Sequence, residues 1–390
     1  MTSANGGREF RLPGLILTGP GCLGQVGSAT TELGVSHALV VTATPLRESG
    51  AVDEATSVLN SAGVATTVFD KINAEPTTDD VEAAVTAYEE AGADGIVGLG
   101  GGSALDTAKA VAVRAKHPGP LSLYQGQDQI PPGRAPLVAI PTTAGTGSEV
   151  TRFTILTDRE RDVKMLIGSA TVIPDVAVAD PNLTLTAPPP VTASAGIDAL
   201  THAIESYISR RSQPLSRPLA LSAISMIGAN LRQAWSNGQD LDARRAMMDG
   251  ALVAGMSFTN ASVALVHGMA RPLGAYFGVP HGLSNAVLLP HVMEYSASEA
   301  TESYAEIARA LGEDVSGLSP AAAADRAIAA VQSLCEDVEV PGLTALGVGR
   351  ERLMTVVEAM ANDALDSGSP ANNPRVPEAS EIVALYEKAL

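Results

Sequence analysis

Four side chains in the second half of this sequence have the types and spacing to hold one divalent cation. Asp198 and His202 stand four apart in GIDALTHAIESY, residues 196–207, and His267 and His281 stand fourteen apart in VHGMARPLGAYFGVPHG, residues 266–282. Residues four apart share a helix face. Ile197, Leu200, Ile204, Tyr207 and Ile208 form the apolar stripe of an amphipathic helix, which leaves Asp198, His202 and Ser206 on its polar side. A carboxylate and an imidazole one turn apart grip a cation between them, and two further imidazoles complete the shell. Each histidine alone also reads as an ordinary hydrogen-bonded surface or core residue. Four of the six histidines (His202, His267, His281 and His291) fall within this stretch, so the two readings stand side by side on spacing.

The elements that must position these groups belong to a chain of 390 residues, long enough for two domains with separate cores. Hydrophobic residues make up 45% of it and aromatics only 3%, so the cores are built from small aliphatic side chains. A net charge of −18 excludes nucleic acid and anionic membrane as partners, because both require a basic surface. The two cysteines, Cys22 and Cys335, make no disulfide framework and read as free thiols in a reducing compartment. The N-terminal MTSANGGREFRLPG lacks the apolar region of an export signal. No uninterrupted apolar run reaches the ~18 residues of a membrane span. The expectation is a cytoplasmic protein.

The first half alternates short apolar runs with helical patterns, the signature of an α/β domain with a mainly parallel sheet. Strands are expected at 15–18, 38–42, 66–69, 95–99 and 137–140, with helices at 26–33, 47–62 and 78–91 and a hairpin-like pair at 153–157 and 163–167. Thr77, Thr78 and Asp79 offer a cap for the last helix. The stretch LTLTAPPP, residues 183–190, is a proline-stiffened connector, beyond which strand signals nearly vanish. The expected division is an α/β dinucleotide-binding domain over 1–186 and an all-helical metal-binding domain over 187–390, with the active-site cleft between them.

Two polar turns in the first half suit a phosphate-bearing ligand. GLGGGS, residues 98–103, follows an apolar strand and opens a helical run. Its glycines admit close backbone approach, and the helix-end N–H groups favour an anion. It matches neither the G-x-G-x-x-G fingerprint nor a Walker A loop, and alone it also reads as a tight packing turn. PTTAGTGS, residues 141–148, is the second such turn, with hydroxyls to line the same cleft.

Together GGGSALDTAK, PTTAGTGSE, GIDALTHAIESY and the HGMARPLGA…PHG run resemble the iron-containing (group III) alcohol dehydrogenases, a family that includes the lactaldehyde/1,2-propanediol and 1,3-propanediol dehydrogenases. The resemblance covers essentially the whole chain. It implies hydride transfer between NAD or NADP and a small primary alcohol or aldehyde, with one divalent metal, Fe2+ first and Zn2+ as the alternative. The matching metal ligands are Asp198, His202, His267 and His281. The matching cofactor residues are Gly100, Gly101, Gly102 and Ser103 on the pyrophosphate, Asp106 and Lys109 in the same motif, and Thr142, Thr143 and Thr146 around adenine and ribose. Thr42, at the end of the second strand, joins this set, and a homodimer or higher homo-oligomer is implied.

Two departures from the family pattern bear on function. Many NAD-using relatives carry an Asp where this chain has Ala43, and an acid there repels a 2′-phosphate. Its absence removes a barrier to NADP, and Arg47 stands nearby. Arg271 replaces a second histidine that members carry one turn after His267. An arginine stays protonated and serves as no base; the expectation gives it an acidic group of the substrate, against the alternative that it bonds groups in the cleft wall. A dehydroquinate-synthase-like lyase and a non-catalytic nucleotide-binding protein are the rival readings of the whole chain.

Overall fold

The computed structural model describes residues 7–72, 75–161 and 163–390, so part of the N-terminal stretch read as carrying no export signal lies outside the described residues. The strands, in chain order, are β1 (Leu15–Thr18), β2 (His37–Ala43), β3 (Ala65–Ile72), β4 (Gly95–Gly100), β5 (Gly126–Gln127), β6 (Leu137–Pro141), β7 (Phe153–Asp158), β8 (Val163–Gly168) and β9 (Val176–Ala179). Helices of the same half are α1 (Val26–Glu32), α2 (Thr44–Glu48), α3 (Ala51–Ser61), α4 (Thr78–Ala91) and α5 (Gly102–Arg114).

Six strands make a parallel sheet in the order β1-β9-β6-β4-β2-β3. Side-chain alternation explains its two cores. Leu39, Val41, Ile96 and Leu137 face one side, packed with Val81 and Ala84 of α4 and Ala108 and Val111 of α5. Val40, Val97, Leu99, Val138 and Ile140 face the other, against Val26 of α1 and Val52 and Leu59 of α3. A sheet covered on both faces is written as continuous apolar runs, which is why β2, β4 and β6 were legible. From β2 the chain runs outward to β3 and then crosses back to β4, so the β2–β4 seam is the topological switch point.

β5, β8 and β7 form a small second sheet in which β7 and β8 pair antiparallel, the expected hairpin. The helix expected over 47–62 is instead two, because Gly50 at φ +83° breaks it between α2 and α3. Thr77 caps α4 through a reciprocal box with Asp80. The short strands β5 and β9 were not foreseen; β9 reads only VAVA.

Past Thr186 the structure is helical: α6 (Pro189–Ile208), α7 (Ser216–Ser236), α8 (Leu241–Ala261), α9 (Leu265–Phe277), α10 (His281–Ser296), α11 (Thr301–Ala310), α12 (Pro320–Asp337), α13 (Arg350–Asp366) and α14 (Ala379–Ala389). The chain divides into a sheet unit, Arg11–Thr186, and a helical unit that begins at Ala187 and also takes in residues 7–10. Those few residues are tied to the helical unit by bonds from Arg8 Nη1 to the Ser212 carbonyl and from Gln213 Nε2 to the Glu9 carbonyl.

α6 is the axis of the helical unit, packed by α7, α8 and α10. The amphipathic pattern gives this helix one polar side, and the structure buries it: Asp198, His202, Glu205 and Ser206 are all inside. Burying such groups costs free energy unless each finds a partner. Ser206 Oγ meets Ser257 Oγ at 2.8 Å, and Ser209 Oγ donates to the Ala261 carbonyl at 2.7 Å, which ties α6 to α8. The acid and imidazole groups find theirs in one cluster.

Candidate metal and dinucleotide sites

Asp198 projects from the middle of α6, His267 from the first turn of α9 and His281 from the first residue of α10. Their donor atoms all lie within 4.8 Å of one another. Asp198 Oδ1 is 3.7 Å from His267 Nε2 and 3.8 Å from His281 Nε2. A tetrahedral shell with bonds of about 2.1 Å has edges of roughly 3.4 Å, so these separations suit a metal after a small inward shift. His202 stands at the edge of this trio. Its Nδ1 is 4.0 Å from Asp198 Oδ2, and its ring lies flat between Phe258, at 4.2 Å, and His267, at 4.5 Å.

Two neighbours that sequence reasoning passed over complete the cluster. Glu205, one turn beyond His202, accepts the Val266 N–H on Oε1 at 2.6 Å and meets His267 Nδ1 with Oε2 at 2.6 Å. It also explains how α9 starts. The N-cap Ala264 has no capping side chain, and the buried Glu205 carboxylate supplies the acceptor from another helix, where the dipole favours it. Burial pushes the Glu205 carboxyl up to about 7 against the pull of the backbone N–H groups of Ala264, Val266 and His267 and of the His202 charge. Burial, aided by the charge of His202 and Arg271 and opposed by Asp198, holds the His267 imidazole well below its usual pKa, in the neutral form that ligates.

Asn285, one turn after His281, is the second. Its Nδ2 lies 2.6 Å from Asp198 Oδ1, 3.1 Å from His267 Nε2 and 3.2 Å from His281 Nε2. A carboxylate and two imidazole lone pairs thus converge on one positively polarised group. That is the demand a divalent cation meets, and the residues present fit one. His281 is the partly exposed member of the cluster.

Close backbone approach sets the placement of His281. A Cβ on Gly282 would lie 2.7 Å from the Ser194 carbonyl oxygen on α6, where backbone cannot yield cheaply. Gly282→Ala is therefore expected to push the start of α10 off α6 and weaken metal binding roughly 10-fold, the scale of a lost supporting contact. Titration against a chelator measures it, and unchanged affinity would show that the contact does not set the site.

In the sheet unit, the turns after β4 and β6 lie side by side. Gly100 sits at φ +152°, the Thr142 N–H donates to its carbonyl at 3.0 Å, and Gly101 and Gly102 begin α5. A Cβ on Gly102 would come within 3.0 Å of the Thr146 methyl, so the cradle formed with Thr143 and Thr146 admits only glycine easily. Ser103 follows in the first turn of α5. Thr42 ends its run at the β2–β4 seam with a buried Oγ1 that has no hydrogen-bond partner among the described residues. A glycine cradle beside an orphaned hydroxyl at a switch point fits a phosphate-bearing dinucleotide.

Asp106 and Lys109 stand elsewhere than the motif implied. Lys109 is fully buried, and Nζ donates to the Thr151 carbonyl, Thr151 Oγ1 and the Phe153 carbonyl at 2.8–3.1 Å. Asp106 accepts from Ser148 Oγ at 2.7 Å and from the Ile155 N–H at 2.9 Å. Both fasten α5 to the start of β7, and the polar atoms that a cofactor would need are spent there.

Comparison with known proteins agrees with this architecture. Residues 13–181 match the family model described as iron-containing alcohol dehydrogenase, and residues 192–390 match the C-terminal model of the same family. The 1,3-propanediol dehydrogenase of Klebsiella pneumoniae is 40% identical over 98% of both chains. The NAD-dependent methanol dehydrogenase of Bacillus methanolicus is 36% identical over 98% of this chain and 100% of its own. A crystal structure of a 1,3-propanediol oxidoreductase superposes with a TM-score of 0.96 at 40% identity, covering 98% of this chain and 100% of the other. The chain belongs to the iron-containing alcohol dehydrogenase family. It is a metal-dependent alcohol dehydrogenase or aldehyde reductase acting on CH–OH groups.

Proposed function

We propose that this enzyme interconverts a small primary alcohol and its aldehyde with NAD or NADP, with Asp198, His202, His267 and His281 as the ligands of one divalent ion, iron first and zinc second. The convergence of Asp198, His267 and His281 donor atoms within 4.8 Å carries this reading. When bound, the ion supplies Lewis acidity at the substrate oxygen, and the nicotinamide accepts or supplies the hydride. Asp198 brings the negative charge that makes the site selective for a cation, and Glu205 and Asn285 hold the imidazoles in place. Residues 100–103, 142, 143 and 146, with Thr42, receive the dinucleotide. Ala43 puts no carboxylate against a 2′-phosphate, and Arg47 is engaged by Asp70 at 2.7 Å, so the reading takes either cofactor.

Arg271 supports an acidic group on the substrate. It is partly buried one turn after His267, its Nη1 donates to Ser369 Oγ at 3.1 Å, and its Nε has no partner among the described residues. A guanidinium holds its proton, so residue 271 takes none from the alcohol, and water is the acceptor this reading assigns. Arg271→Ala should raise KM for an acid-bearing aldehyde about 10-fold or more and leave propanal nearly unchanged, the loss of one charge-assisted contact. Equal effects on both aldehydes would remove the anion-binding role.

The reading as a whole is tested by loading the protein with Fe2+ or Zn2+ and following nicotinamide absorbance with small aldehydes, with and without an acidic group, against NADH and NADPH. Turnover with none of these combinations would overturn it. Two buried free thiols support a reducing, cytoplasmic setting, and no single helix among the described residues is long and apolar enough to cross a membrane. At least a homodimer belongs to the proposal, and light scattering during gel filtration would show it.

A further inference from the structure

The His267 imidazole can present either nitrogen to a cation, and its surroundings decide which one. Asn285 Nδ2 meets Asp198 Oδ1 at 2.6 Å, His267 Nε2 at 3.1 Å and His281 Nε2 at 3.2 Å, while Asn285 Oδ1 has no partner among the described residues. Turned the other way, the amide would press its oxygen against the aspartate carboxylate, so the NH2 group must face Asp198 and His267. The NH2 group shares two hydrogens among three neighbours and accepts none, so a hydrogen on His267 Nε2 would point at a donor, and Nε2 faces the cluster with its lone pair. Nδ1 then carries the hydrogen, and Glu205 Oε2 accepts it at 2.6 Å. The other Glu205 oxygen is fixed by the Val266 N–H, a group that can never accept. The carboxylate cannot rotate without losing a bond to one residue or its neighbour.

We propose that Glu205 is a positioning residue: it locks His267 in the Nδ1–H tautomer with Nε2 aimed at the cation, and so sets the metal affinity of the site. This rests on the metal reading above. Glu205 is not among the converging donors, and it acts on them through His267. It shares α6 with Asp198 and His202, so one rigid helix carries both the anionic ligand and the acceptor that orients a ligand on α9.

Glu205→Gln separates this role from simple filling of space. Gln has one accepting oxygen, and the Val266 N–H claims it. The Gln NH2 then faces His267 Nδ1 and forces the hydrogen onto Nε2, where it blocks the cation. Nearly isosteric, the variant keeps the start of α9 capped.

The experiment uses the full chain, titrated with Zn2+ against a competing chelator, with 15N-histidine NMR of the metal-free and loaded forms. The His267 signals are assigned by their loss in His267→Asn. Wild type is expected to show the proton on Nδ1 in both forms. Glu205→Gln should show it on Nε2 when metal-free and bind Zn2+ about 10–100-fold more weakly. Wild-type His267 protonated on Nε2 overturns the proposal, whether or not the variant folds. A variant that matches wild-type Zn2+ affinity also overturns it, as does one that binds weakly with the tautomer unchanged. Wild type that binds no cation at this cluster sinks the metal reading itself, which the tautomer of the metal-free protein tests separately.

Discussion

Asp198→Ala should leave a folded protein that retains no stoichiometric metal and turns over no alcohol. The aspartate is the only carboxylate among the three converging donors, and its Oδ1 stands within 3.8 Å of both ring nitrogens. Removing it takes away the charge that compensates a buried cation. The loss in metal affinity should exceed the about 10–100-fold that follows removal of a supporting partner. Unlike most core substitutions, this one relieves a buried charge, so the helical unit should survive. The single tryptophan, Trp235, lies on α7 in that unit, so its fluorescence reports on the unit directly. Metal analysis after loading, together with Trp235 fluorescence, checks both halves of the statement. A variant that holds one metal per chain and still turns over would remove Asp198 from the site.

The largest expected loss of stability lies in the sheet unit, at Lys109. Its ammonium is bound to two backbone carbonyls and a hydroxyl, with Asp106 and Glu149 as its balancing charges. Lys109→Met keeps much of the stem but strands those acceptors and leaves two buried acids without their cation. Breaking a buried charge arrangement in this way costs about 3–5 kcal/mol. Hydrogen exchange over β6 and β7 measures it, and a change within about 0.5 kcal/mol, typical of a surface site, would refute the assignment. A pH signature accompanies the loss. Burial holds Lys109 down to about 8, below its ordinary 10.5, despite Asp106 and Glu149. Between these values the unfolded chain carries the proton and the folded chain does not, so this residue makes stability rise with pH across that window. The difference between wild type and Lys109→Met should therefore widen from about pH 8 upward.

Much of the fold is written locally. Strands β2, β4 and β6 are uninterrupted apolar runs because both faces of the sheet are covered, and such runs need no long-range information to be recognised. The break at Gly50 was not seen, because one glycine in an otherwise periodic stretch does not announce a positive φ. Asp198, His202, His267 and His281 could be singled out by type and spacing, with the family resemblance implying their role as ligands. Glu205 and Asn285 could not. Each shares a helix face with a recognised residue, at the spacing His202 to Glu205 and His281 to Asn285, but acids and amides on helices are common. Only the packing of α9 and α10 against α6 gives these two their roles. Lys109 misled for the same reason: its motif lies beside a phosphate cradle, yet α5 turns that face toward β7.

Asn285 carries a consequence for how the helices hold together. A carboxylate and two imidazole nitrogens packed this close would otherwise leave acceptors without a donor. Here the Asn285 NH2 group lies within 3.2 Å of all three, with two hydrogens to share among them. One side chain on α10 thus joins groups from α6 and α9, so a change at residue 285 is felt by three helices at once.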